Sequence, residues 1–161
     1  MHKTPALSET APRLKTRAVA PNFTLPALAG GEVTRSAYRA RKHLALVFLP
    51  ADDAAARAYL ASLTRRYADL RAADSELLAI LADPAASAEG LRAGLELPFP
   101  LLLDPEGRAA ARYLPDDAPL GAFILDRYGA VQKQWALTAP PLPPADELIE
   151  WLEVVDRMCV L

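Results

Sequence analysis

Apolar positions along the chain follow two different periods. "LALVFL" (44–49) and "ELLAILA" (76–82) are short apolar runs bounded by polar or proline residues. Runs of that length and content read as strands covered on both faces. Between them Ala56, Leu60, Leu63, Tyr67 and Leu70 recur at steps of four and three, with Arg57, Arg65, Arg66 and Asp69 in the gaps. That spacing predicts an amphipathic helix over 54–73. Ser87 is placed to cap a short helix reaching Leu95, with Gly94 near its end. "FPLLLDPEGRAAARYL" (99–114) predicts a short strand, a turn at Asp104–Gly107 and a helix ending at Leu114. "GAFILDRYGAVQKQWAL" (121–137) predicts a β-hairpin turning at Asp126–Gly129. "PPLPP" (140–144) then interrupts the chain before a last helix, 146–158, whose buried stripe is Leu148, Leu152 and Val155.

Ahead of these elements, "PNFTLPALAGGEVTRSAY" (21–38) places short alternating segments around Gly30-Gly31 and predicts a small hairpin. Residues 1–19 are polar with interspersed proline and are expected to form a flexible arm, leaving 20–161 as the folded domain. Strands alternating with helices, followed by a hairpin and a terminal helix, give an α/β fold class: a three-layer α/β/α sandwich with a mixed central sheet. Neither repeats nor a second domain are indicated.

Composition narrows the function classes. With 161 residues, 52% hydrophobic and 24% charged, the chain has the makings of one globular domain with a substantial core. Its longest apolar runs fall far short of the roughly 20 residues of a membrane span, and its first 20 residues lack a signal-like apolar stretch. A cytoplasmic protein without membrane association is the expectation. Net charge is −2, but residues 1–43 carry eight of the 18 Lys/Arg and only two of the 20 acids. The basic stretch "RSAYRARKH" (35–43) lacks interleaved stacking aromatics, so it reads as a solvated turn and no nucleic-acid partner is expected. One cysteine, Cys159, rules out an internal disulfide, a CxxC redox pair and a multi-cysteine metal site. No His/Asp/Glu spacing suggests a metal, and no cofactor is expected. His2 and His43 both read as solvated, and Ser36, Ser62, Ser75 and Ser87 have no nucleophile-elbow context.

The segment "HLALVFLPADDAAARAYLASL" (43–63) delivers a strand end, Pro50, to two acids and the start of a helix. Backbone N–H dipoles there would favour a thiolate or another anion. In order and spacing, "APNFTLPALAGGEVTRSAYRARKHLALVFLPA", "FPLLLDPEGRAAARYL" and "GAFILDRYGAV" together resemble the peroxiredoxin-like branch of the thioredoxin-fold proteins, the alkyl hydroperoxide reductase/thiol-specific antioxidant type. The resemblance implies a thioredoxin-like sandwich and a Pro-x-x-x-Thr-x-x-Cys motif after the central strand. In that motif a thiolate attacks a peroxide polarised by the threonine hydroxyl and a later arginine. Laid on this chain, the proline is Pro50, the threonine position is Ala54, the cysteine position Arg57 and the arginine position Leu120. Three of the four groups are replaced.

The resemblance therefore implies a scaffold without its peroxidase chemistry. Asp52 or Asp53 can cap the helix, and Asp53 with Arg57 would form an i,i+4 ion pair. As a polar binding site, Asp52, Asp53 and Arg57 would suit an anion or a carbonyl; capping plus a salt bridge is the plainer use. Cys159 continues the apolar stripe of the last helix, with packing as its simplest role and a weakly activated redox thiol as the functional one. Pro119 stands one residue before the place where thioredoxin-like reductases put a cis-proline, and a trans bond is expected. Trp135 and Trp151 read as core or interface anchors, and "APPLPPADE" (139–147) as a structural linker. Two functions follow: a non-catalytic protein acting by binding a partner or a second copy of itself, or a thiol-dependent antioxidant enzyme working through Cys159 or a partner's thiol. Family resemblance also implies a homodimer formed near the former site, with "YLPDDAPLG" (113–121) in the contact.

Overall fold

A computed structural model describes residues 8–84, 90, 91 and 94–159, the last of these in its backbone only. Its centre is a five-stranded mixed sheet, ordered β5-β4-β3-β6-β7: β3 (His43–Leu49), β4 (Ser75–Leu81), β5 (Leu101–Leu103), β6 (Leu120–Leu125) and β7 (Val131–Leu137). The two long apolar runs become the parallel neighbours β3 and β4, paired from His43↔Ser75 to Leu49↔Leu81. A parallel pair needs a crossover, and α1 (Ala54–Ala72) supplies it. The hairpin β6–β7 adds antiparallel strands on the other side of β3. Two shorter helices follow the same logic of covering a face: α2 (Arg108–Tyr113) and α3 (Ala145–Cys159).

Every residue of β3 is buried, because alternate side chains enter two separate cores. Ala45, Val47 and Leu49 face the core shared with Leu60, Leu63, Leu148 and Leu152 of α1 and α3. Leu44, Leu46 and Phe48 face the other, where Phe48, Tyr113 and Phe123 meet with ring centroids 5.1–5.6 Å apart. The expected small hairpin is β1 (Thr24–Pro26) with β2 (Glu32–Thr34), and Gly30 and Gly31 turn it with φ of 111° and 73°.

Two expectations fare differently. The short helix from Ser87 to Leu95 lies largely outside the described residues, although Gly90, Leu91 and Gly94 are helical. The segment expected to form a flexible arm, residues 1–19, is hydrogen-bonded over its described part along the outer edge of β7. Thr138 N–H donates to the Ser8 carbonyl (2.7 Å), Thr10 N–H to Ala136 (2.8 Å) and Arg17 N–H to Val131 (2.7 Å). A polar sequence gave no hint of this, since an open strand edge pairs through backbone groups that every residue carries.

Candidate functional site

Pro50 follows the last residue of β3 and, having no N–H, cannot extend the ladder. Asp53 then takes the extended conformation of an N-cap (φ −128°, ψ 178°), and its Oδ1 accepts the Ala56 N–H at 2.8 Å. Asp52 does something else. Its carboxylate receives two hydrogen bonds from Arg57, Nε to Oδ1 at 2.8 Å and Nη2 to Oδ2 at 2.9 Å, while its own N–H donates to Asp83 Oδ2 at 2.9 Å. The expected Asp53–Arg57 pair is thus corrected to Asp52–Arg57. Capping occupies Asp53, and the planar fork of Arg57 matches the neighbouring carboxylate edge to edge. That hydrogen bonding holds the Asp52 carboxyl below the usual carboxylate range and raises Arg57, with burial opposing both shifts.

Arg57 also lies over Gly94, where a Cβ would come within 2.3 Å of Nη1. The cation is therefore engaged with Asp52 and backed by a glycine. Ala54, first in α1, is exposed and contributes no polar atom beyond its backbone.

Beside this cap an open cleft of about 540 Å³ runs between three elements. Pro50, Asp53, Ala55, Ala58 and Tyr59 line it from the start of α1, Pro119 and Leu120 from the start of β6, and Thr138–Leu142 from the segment leaving β7. Polar side chains in this lining are already engaged. Tyr59 Oη donates to the Pro143 carbonyl at 2.7 Å, and burial pushes its hydroxyl pKa up. Thr138 Oγ1 donates to Ser8 O at 3.2 Å. Among the described residues the cis peptide bond is Pro140–Pro141, in the cleft; the bond to Pro119 is trans.

Of the residues singled out from sequence, the structure therefore gathers Pro50, Asp53 and Leu120 at one cleft and sets Asp52 and Arg57 against each other outside it. Sequence reasoning missed the wall formed by Thr138–Leu142. A run of prolines read as a linker carries no mark of what it packs against.

Cys159 ends α3, and its side chain lies outside the described residues. The course of α3 still fixes the neighbourhood. Pro143, just before the helix, meets Tyr59 near the start of α1, whereas Asp156 meets His43 at the opposite end of β3. Nineteen residues of α1 at about 1.5 Å each put roughly 28 Å between its two ends, and the helix end bearing Cys159 belongs with the far one.

His43, expected to be solvated, is wholly buried. Its Nε2 lies 3.1 Å from Asp156 Oδ1, and Arg127 Nη2 reaches Asp74 (3.3 Å) and Asp156 (3.4 Å). Nε2 also lies 3.3 Å from Arg127 Nη2, so it sits between a carboxylate and a guanidinium, and Nδ1 is buried without a hydrogen-bond partner. A histidine heading a strand looks exposed in sequence; α3, more than 100 residues later, covers it. Ser62 and Ser75 spend their hydroxyls on the carbonyls of Tyr59 and Ala73, and Trp135 is in the core. No three His, Cys, Asp or Glu side chains among the described residues converge as a metal set, and no described helix is long and apolar enough to cross a membrane.

Comparison with known proteins places this architecture. The family model "AhpC/TSA family" matches residues 16–134. The chain belongs to the AhpC/TSA family. Among solved structures, the mitochondrial 2-Cys peroxiredoxin of Plasmodium falciparum superposes with a TM-score of 0.76 at 20% identity, covering 91% of this chain and 96% of that one. Peroxidoxin BcpB of Mycobacterium tuberculosis gives 0.71 at 18% identity, covering 91% and 98%. The reduced 2-Cys peroxiredoxin of Plasmodium vivax gives 0.76 at 20%, covering 90% and 83%. At these identities the likeness establishes the thioredoxin-like fold of the AhpC/TSA family. No curated protein sequence matches the chain.

Proposed function

We propose that this AhpC/TSA-family protein is non-catalytic and acts by binding, at the cleft beside the start of α1. The observation that carries the reading is the chemistry of that place. Thiol-dependent reduction of a hydroperoxide needs an electron pair on sulfur and donors to stabilise the departing oxygen. Here the position aligned with the sulfur holds Arg57, a cation engaged with Asp52. The positions aligned with the two donors hold Ala54 and Leu120, and Leu120 turns one side of the cleft apolar. What remains is a rigid fold that presents a shaped apolar surface. The occupant is either another molecule or a second copy of the chain, which would use the Tyr113–Gly121 loop for a homodimer; a cytoplasmic site of action accompanies the reading.

The test is consumption of hydrogen peroxide and of an organic hydroperoxide, with thioredoxin or dithiothreitol as reductant, by wild type and Cys159→Ser. The expected result is no turnover above background in either protein. Turnover that disappears in Cys159→Ser would replace this reading with a thiol-dependent antioxidant enzyme. Sedimentation or gel filtration tests the homodimer.

A further inference from the structure

We infer that the cleft between the start of α1 and the Thr138–Leu142 segment takes an uncharged, apolar small molecule and rejects anions. The inference rests on the cleft being a binding site and adds the class of its ligand.

Its volume of about 540 Å³ lies within the roughly 300–1,000 Å³ of small-molecule sites. The surfaces that face it carry few rotamers: Ala55, Ala58, Pro119, Pro140 and Pro141 have little or no side-chain freedom to lose when a ligand arrives. The cleft is thus preformed. The exposed faces of Ala55, Ala58, Pro119, Pro140 and Pro141 supply most of the apolar contact area, over the buried Leu49, Leu120 and Leu142. Water in such a place finds few partners, because the Tyr59 and Thr138 hydroxyls already donate to Pro143 and Ser8 carbonyls. Displacing poorly held water with an apolar group is favourable.

Charge decides the rest. A helix N-terminus ordinarily draws anions, but here Asp53, a residue of the cleft lining, caps the Ala56 N–H with its carboxylate, so its negative charge offsets the partial positive charge of the first turn. The nearest cation in sequence, Arg57, is committed to Asp52 and is not part of the lining. An anionic headgroup would meet the negative charge of Asp53 with no cation in the lining to offset it, and like charges at short range repel.

The experiment uses the full chain and the neutral fluorescent probe N-phenyl-1-naphthylamine, displaced by octan-1-ol or by octanoate. Ala58→Trp fills the cleft from an exposed position of α1. Ala29→Trp does the same for a separate cleft of about 650 Å³ lined by Leu28, Leu97 and Phe99, and serves as the control. Expected results are saturable probe binding to wild type and to Ala29→Trp, weakened at least about tenfold in Ala58→Trp, with octanoate displacing the probe at least about tenfold less well than octan-1-ol. Thermal melts of both variants establish that they fold; should Ala58→Trp fail to, Ala55→Phe takes its place. Absence of saturable binding, equal binding by the filled variant, loss in Ala29→Trp instead, or octanoate competing as well as the alcohol would each overturn the inference. Failure here leaves the peroxide assay untouched, and turnover through Cys159 would refute the non-catalytic reading without altering the probe result.

Discussion

At one end of β3, Leu49 opens onto a cleft of alanine, proline and leucine; at the other, His43 is surrounded by Lys42, Asp74, Arg127 and Asp156. Folding gathers the ionisable groups at the second end, from well-separated places in the chain. Its charges are nonetheless matched. Lys42 Nζ bonds Asp74 at 3.0 Å, Arg127 spans Asp74 and Asp156, and the imidazole Nε2 lies 3.1 Å from Asp156. These bonds join the end of α1, the β6–β7 turn and α3 to the start of β3, and they act as a clamp. The first end has few charges but holds volume that no side chain fills. Matched charge is a structural device, whereas preformed open volume is what a ligand needs.

Moving charge between the two ends should break the contrast most severely. Leu120→Asp places a carboxylate in the apolar wall and should lower unfolding free energy by about 3–5 kcal/mol, read by urea denaturation. Next comes Asp156→Ala, which takes the carboxylate away from the buried His43 Nε2 and from Arg127 Nη2 and should cost about 1–3 kcal/mol in the same measurement. Asp156→Asn keeps an acceptor and should recover part of the loss. Asp53→Ala removes the cap of α1 without touching the clamp, at a cost of about 1 kcal/mol, and Asp53→Ser should restore most of it.

The smallest effect is in pH dependence. Arg57 lowers the Asp52 carboxyl and Lys42 that of Asp74. A carboxyl lowered in the folded state stabilises it above the ordinary aspartate value of about 3.9, and that contribution fades as pH falls through the folded-state value. Stability of the Asp52→Asn/Asp74→Asn variant should therefore fall less steeply than wild type below about pH 4. An identical slope would show that neither pair contributes, as is common for partly exposed ion pairs.

Much of the fold could be read along the chain. The runs that became β3 and β4, the three-and-four spacing of α1 and the hairpin turn at Asp126–Gly129 lie within a residue or two of their observed places, because burial on two faces, or on one stripe, imposes its own period. The start of α1 was legible for the same local reason: a proline, two acids and a helical run. Which acid caps and which pairs was not legible, since that choice depends on side-chain geometry around Arg57, including the space left by Gly94.

By itself the sequence determined most of the elements, their order and the presence of one cysteine, Cys159, far along the chain from the Pro50–Arg57 junction. Each is a property of residue type and local spacing. Tertiary structure alone decided that His43 is sealed by α3, that Ser8–Ala20 covers the edge of β7, and that Thr138–Leu142 closes a cleft against alanines eighty residues away. Those outcomes come from surfaces that meet only after the chain has folded, and no local pattern encodes the meeting.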